Sequence, residues 1–205
     1  IAILSIISNS EIDFEQKKVI LNFSIQLLEN LQYKQFWPLL MEIIDDMIIN
    51  SEISQFIFKE TNVLKICQEF IRSDNESLQK SAIRCVGNHF IYYNKYLYIC
   101  VDFGKIIKCA ESLNEELSYI SLWLLSNALA CDTSMISMIE CSGNIYQLLS
   151  SYYEQDRKLN CKLEACRGMI SIIRQGNNSQ IEKAIKSNFI YTFVQIIDMQ
   201  DTTSF

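Results

Sequence analysis

The chain has 205 residues, 49% of them hydrophobic, with five glycines and a single proline, Pro38. Sheet sandwiches and barrels need frequent turn residues, so this composition argues for helices joined by polar turns. The net charge of −6 disfavours nucleic acid as a partner, since phosphate binding calls for a basic face.

The opening Ile1–Ile7 is apolar, too short to span a membrane, and lacks a basic stretch before it. It reads as the tail of a helix already under way, so the chain is expected to be a piece of a longer one, with no membrane partner. Glu15–Leu31 and Phe36–Ile49 carry apolar residues at the helical period and are predicted as two helices. A three-part rhythm then repeats. Short helices are predicted at Ile53–Ile57, Leu97–Val101, Ile136–Ile139 and Ile181–Ile185. Breaks follow at Thr61-Asn62, Gly104, Gly143 and Asn188; Gly and Asn accept left-handed backbone angles and suit a sharp corner. Second helices are predicted over Val63–Ile71, Lys105–Leu113, Ile145–Tyr153 and Phe189–Ile197. The linkers Ser73–Ser77 and Asn114–Glu116 are entry signals for a third helix.

The third helices align with one another as Trp37–Ile44, Ser81–Asn88, Ile120–Asn127 and Glu164–Ser171. Leu40, Arg84, Trp123 and Arg167 occupy equivalent positions, spaced by 44, 39 and 44 residues. That is the period of armadillo and HEAT units, and three helices per unit rather than two selects armadillo. The predicted fold is all-α: a right-handed armadillo superhelical solenoid of about four to five repeats. It is predicted as one array over residues 1–205, with units near 1–50, 51–93, 94–131, 132–176 and 177–205.

Little here points to catalysis. The single histidine, His89, has no recognisable nucleophile motif beside it, and neither a phosphate-binding glycine loop nor metal-ligand spacing occurs. No catalytic, cofactor or metal site is predicted. Asp45-Asp46 and Glu115-Glu116 are adjacent pairs, which diverge by about 100° on a helix and read as solvated faces or helix-entry charges. The eight cysteines form no C-x-x-C pair and lie mostly within apolar patterns, so they are read as reduced core residues. Tyr92, Tyr93, Tyr96, Tyr98, Tyr152 and Tyr153 are read as packing residues or, alternatively, as a rim for a permanent partner.

Residues Ser81–Ile197 resemble the later armadillo repeats of importin-α, the adaptor that carries nuclear-localisation signals. Leu78–Asn88 is similar to that family's Arg-x-Val-Gly-Asn repeat, Ser121–Asn127 to its Trp-x-x-Ser-Asn repeat, and Glu164–Arg167 to its Glu-Ala-x-Trp repeat. The resemblance implies a peptide-binding surface on the third helices. Trp123 and Asn127 lie four residues apart and share a helix face. The amides of Asn88 and Asn127 would hold a ligand's main chain, since an amide both donates and accepts. Trp123 would stack on a ligand side chain, Glu164 would attract a basic one, and Arg84 stands where the resembled repeat also has arginine. Departures are plain: Arg167 and Ser171 replace Trp and Asn, Leu40 and Ile44 are apolar, and Ile120 replaces a Glu. Either the ligand differs or the fold serves another purpose. The implied function is a non-catalytic adaptor for an extended peptide, a basic nuclear-localisation signal among the candidates. Importin-β would bind through a segment outside this chain, and the location would be cytoplasm and nucleus. The alternative is a structural armadillo subunit of a large ciliary or cytoskeletal assembly.

Overall fold

A computed structural model describes residues 13–48, 51–93, 101–154 and 157–188. Among these residues there are eleven α-helices and no strand. They are α1 Phe14–Glu29, α2 Trp37–Ile48, α3 Ser51–Glu60, α4 Val63–Arg72, α5 Glu76–Tyr93 and α6 Phe103–Ala110. The rest are α7 Glu115–Leu129, α8 Thr133–Ser142, α9 Ile145–Glu154, α10 Leu159–Gln175 and α11 Asn178–Lys186. A 3-10 turn, Leu31–Phe36, joins α1 to α2. The expected helices at Ile1–Ile7 and Phe189–Ile197, and nearly all of Leu97–Val101, lie outside the described residues.

Helix starts are fixed by side-chain caps, which satisfy amide groups that the first turn leaves without carbonyl partners. Asp13, Asp102, Asn114, Asp132 and Asn177 each accept from a backbone N–H in the turn they precede. Asn75 does the same for Ser77 and Leu78 at the start of α5. Glu115 and Glu116 sit in the first turn of α7, the helix-entry role expected of them. Pro38 falls in the first turn of α2, where no intrahelical donor is lost.

Two corners differ from expectation. The break expected at Gly104 falls at Asp102, whose carboxylate caps α6, and Gly104 is already helical. A left-handed corner residue occurs only at Asn188 (φ 65°) among the described residues. Gly143 is extended at φ 169°, and its small size is used instead: a Cβ there would lie 2.9 Å from Ile107 Cδ1.

The chain forms two compact units, Ile1–Val101 and Asp102–Phe205. In the first, α5 packs against α2 and α4 around Leu40, Met41, Ile44, Cys67, Ile83 and Val86. In the second, α10 packs against α7 and α9 around Leu122, Leu125, Leu129, Leu149, Met169 and Ile172. Each such side chain removed from water stabilises its unit by about 1.5–3 kcal/mol. Cys67, Cys85, Cys109, Cys161 and Cys166 are buried within the units, in keeping with their apolar sequence context.

Candidate functional site

The third helices are buried on most sides, so any side chain they leave open is informative. Between residues 81 and 89 of α5, only Arg84 and Asn88 are partly exposed. Between residues 120 and 129 of α7, only Trp123 and Asn127 are. On α10, Arg167 is the open residue between 164 and 169, and Ser171 is half-buried. These are the positions aligned in sequence. Burial closes the earliest one, where Leu40 and Ile44 are both inaccessible.

In the first unit, Arg84 and Asn88 converge on Asp45 of α2. Asn88 Nδ2 donates to Asp45 Oδ1 at 2.8 Å, and Arg84 Nε pairs with Asp45 Oδ2 at 3.5 Å. The Asp45 carboxylate is 4% exposed, whereas the Arg84 side chain is 42% exposed. Burial pushes the Asp45 carboxyl up to about 7, although Arg84 and Asn88 pull it down and Asp46 adds a small push. Asp45 is therefore not the solvated acid expected from the sequence; only Asp46 is exposed. The signal was present, because Asp45 shares a helix face with the buried Met41 and Ile48.

In the second unit, the acid and the arginine share a helix. Arg167 Nη1 donates to Glu164 Oε1 at 3.0 Å, and Ser126 Oγ of α7 donates to Glu164 Oε2 at 2.8 Å. The Glu164 side chain is 7% exposed and that of Arg167 is 68% exposed. Both carboxylate oxygens are thus occupied, and a ligand cation would have to displace Arg167. Asn127 differs from Asn88: its Nδ2 is buried with no hydrogen-bond partner among the described residues. The structure thus brings Arg84 and Asn88 together in one unit, and Glu164 with Ser126 and Arg167 in the other. Asp45 and Ser126 were not foreseen as parts of either group.

His89 is buried, and its Nδ1 lies 2.7 Å from Ser54 Oγ. Burial lowers its pKa to about 4, so the ring is neutral at pH 7. Ser54 is also inaccessible, so this pair offers no surface to a substrate. Among the described residues no group of His, Cys, Asp or Glu is arranged to hold a metal, and no helix is long and apolar enough to cross a membrane. Tyr152 and Tyr146 are buried and serve packing: Tyr152 OH bonds to Ser118 at 2.7 Å and to the Ala110 carbonyl, and Tyr146 OH donates to Glu140 at 2.7 Å. Tyr96 and Tyr98, and the side chains of Tyr92, Tyr93 and Tyr153, lie outside what the structure describes.

No protein-family model and no curated protein matches the chain. Solved structures do. A designed armadillo repeat protein in complex with the peptide (KR)4 superposes with a TM-score of 0.77 at 16% identity, over 94% of this chain and 81% of that one. A second designed armadillo repeat protein gives 0.78 at 18% identity, over 94% and 82%. A computationally designed armadillo repeat protein for modular peptide recognition gives 0.72 at 18%, over 87% and 74%. The chain has the armadillo-repeat fold, and its helices correspond to about four repeats.

Proposed function

We propose that the chain is a non-catalytic adaptor that holds an extended segment of a partner protein against its third helices. The observation that carries this reading is the exposure pattern. On α5 and α7 the side chains left open in the buried central stretch are Arg84, Asn88, Trp123 and Asn127, each pair four residues apart and so on one helix face. Repeated packing leaves the same face of each third helix uncovered, and on both helices that face carries an amide beside an arginine or a tryptophan. The unpartnered Asn127 amide adds support: a buried donor without a partner costs about 1–3 kcal/mol, and turning that amide to meet a ligand's main chain would offset the cost. A similar fold holding (KR)4 in a designed protein is consistent with a peptide ligand here.

The finer reading, inherited from the importin-α resemblance, is nuclear import between cytoplasm and nucleus, with importin-β engaged by a segment outside this chain. Its support is narrower, because the acids a basic signal would pair with, Asp45 and Glu164, already hold Arg84 and Arg167. The scaffold alternative drew on the missing groove residues and on tyrosines at an outer surface; of those tyrosines, Tyr152 is turned inward.

Screening a labelled library of extended peptides tests the adaptor role. The tightest binder should lose about 1–3 kcal/mol, roughly 5- to 150-fold, with Asn127→Ala or Asn88→Ala. A library without any binder, or a binder indifferent to both substitutions, would sink the role.

A further inference from the structure

Both units place an arginine at the open position of a third helix with a buried carboxylate behind it. In the first unit the acid, Asp45, lies on the preceding third helix, 39 residues before Arg84. In the second it is Glu164, one turn before Arg167 on the same helix. Two different local sequences thus arrive at one device. Each acid is closed off. The oxygens of Asp45 are taken by Asn88 and Arg84, and those of Glu164 by Ser126 and Arg167. Each guanidinium is held through a single nitrogen, and among the described residues its other N–H groups have no partner.

The consequence for a ligand is directional. An approaching ammonium meets a guanidinium first and finds no open acceptor behind it. An approaching carboxylate meets a pre-oriented fork of N–H donors, the geometry that arginine matches best. The chain's total charge of −6 opposes an acidic partner. At physiological salt that opposition is screened beyond about 8 Å, so the groups in direct contact decide.

We propose that Arg84 in the first unit and Arg167 in the second are each specificity determinants that select an acidic side chain, so that a partner segment held by either unit carries aspartate or glutamate where it faces that arginine. This rests on the peptide-binding reading above and names its ligand chemistry.

The test titrates the full chain at pH 8, where Asp45 is ionised, with labelled (KR)4 and its acidic counterpart (DE)4 by fluorescence anisotropy. The acidic peptide should bind at least about tenfold tighter, with the gap narrowing at high salt. Asp45→Asn keeps an acceptor for Asn88 but removes the negative charge behind Arg84, so it should tighten (DE)4 severalfold. Arg84→Gln and Arg167→Gln should weaken it. Opposite signs at Asp45 and Arg84 are not what a merely structural pair would give. Circular dichroism checks that each variant folds. Should Arg84→Gln fail to fold, the Asp45→Asn/Arg84→Gln double variant, which leaves no buried charge unpaired, must still bind (DE)4 more weakly than the unaltered chain does. Equal or tighter binding of (KR)4, or changes of the same sign at Asp45 and Arg84, would overturn the inference while leaving peptide binding intact. Tighter binding of a single-stranded oligonucleotide than of (DE)4 would reassign the arginines to phosphate and overturn it too. Failure of both peptides to bind a chain that still binds a neutral library peptide overturns this inference alone, whereas a library without any binder removes the adaptor reading with it.

Discussion

The two units solve the same local problem in different ways. In the first, Asp45 reaches from α2 to α5 and fixes both Arg84 and Asn88, so the amide of Asn88 is already oriented. In the second, the cross-helix bond comes from Ser126, Glu164 fixes only Arg167, and the amide of Asn127 is left without a partner. A position defined by repeat spacing can therefore be pre-oriented in one unit and adaptable in another. What decides between them is which side chain the buried acid meets across the helix pair: Asp45 meets the amide of Asn88, whereas Glu164 meets the hydroxyl of Ser126.

This contrast can be broken by substitution. The largest effect is expected at Asp45, where burial pushes the folded carboxyl up to about 7 against an ordinary 3.8. Between those values the folded chain holds a proton that the unfolded chain has released. The stability contributed by this group is therefore fully present below about pH 4 and is lost as pH rises towards 7, by on the order of a few kcal/mol. Asp45→Asn removes that slope, so the variant should gain on the unaltered chain between pH 4 and pH 8 in urea melts; parallel pH curves would contradict the burial of an ionisable group there. A smaller effect is expected at Glu164. Its replacement by Ala removes the acceptor of Ser126 and the anchor of Arg167 from a packed interface, and should cost about 2–3 kcal/mol at neutral pH. Arg167→Ala should cost less, about 1–2 kcal/mol, because the buried Glu164 carboxylate loses its cation but keeps Ser126 as a partner. A larger loss at Arg167 than at Glu164 would place the stabilising interaction on the surface instead.

Most of the fold was legible because it is written locally. Apolar spacing and Asn or Asp caps are read within one helix, and the boundaries of α4 and α9 fall within one residue of those expected. Gly104 misled because a glycine signals a corner only when no better cap stands beside it, and Asp102 is a better cap. Repeat spacing aligned Arg84, Asn88, Trp123 and Asn127, and that they face outward was implied only by the family resemblance. Their partners were harder to read. The link from Asp45 to Asn88 spans 43 residues, and the link from Ser126 to Glu164 spans 38. Which residues face each other across two helices depends on their packing register, and a single helix's periodicity does not encode that register. Asp45 could still have been separated from Asp46 by its apolar face, since adjacent residues on a helix point in different directions.

If the open positions of the third helices receive a peptide, a side chain at one of them must sense its arrival. Trp123 offers the most direct test, because the chain has only two tryptophans and Trp37 can be replaced by Phe. In that Trp37→Phe chain, titration with (DE)4 should shift the Trp123 emission saturably, with a midpoint matching the anisotropy titration, and Asn127→Ala should move that midpoint to higher peptide concentration. Saturable binding by anisotropy with an unchanged Trp123 spectrum would place the ligand elsewhere and contradict the account.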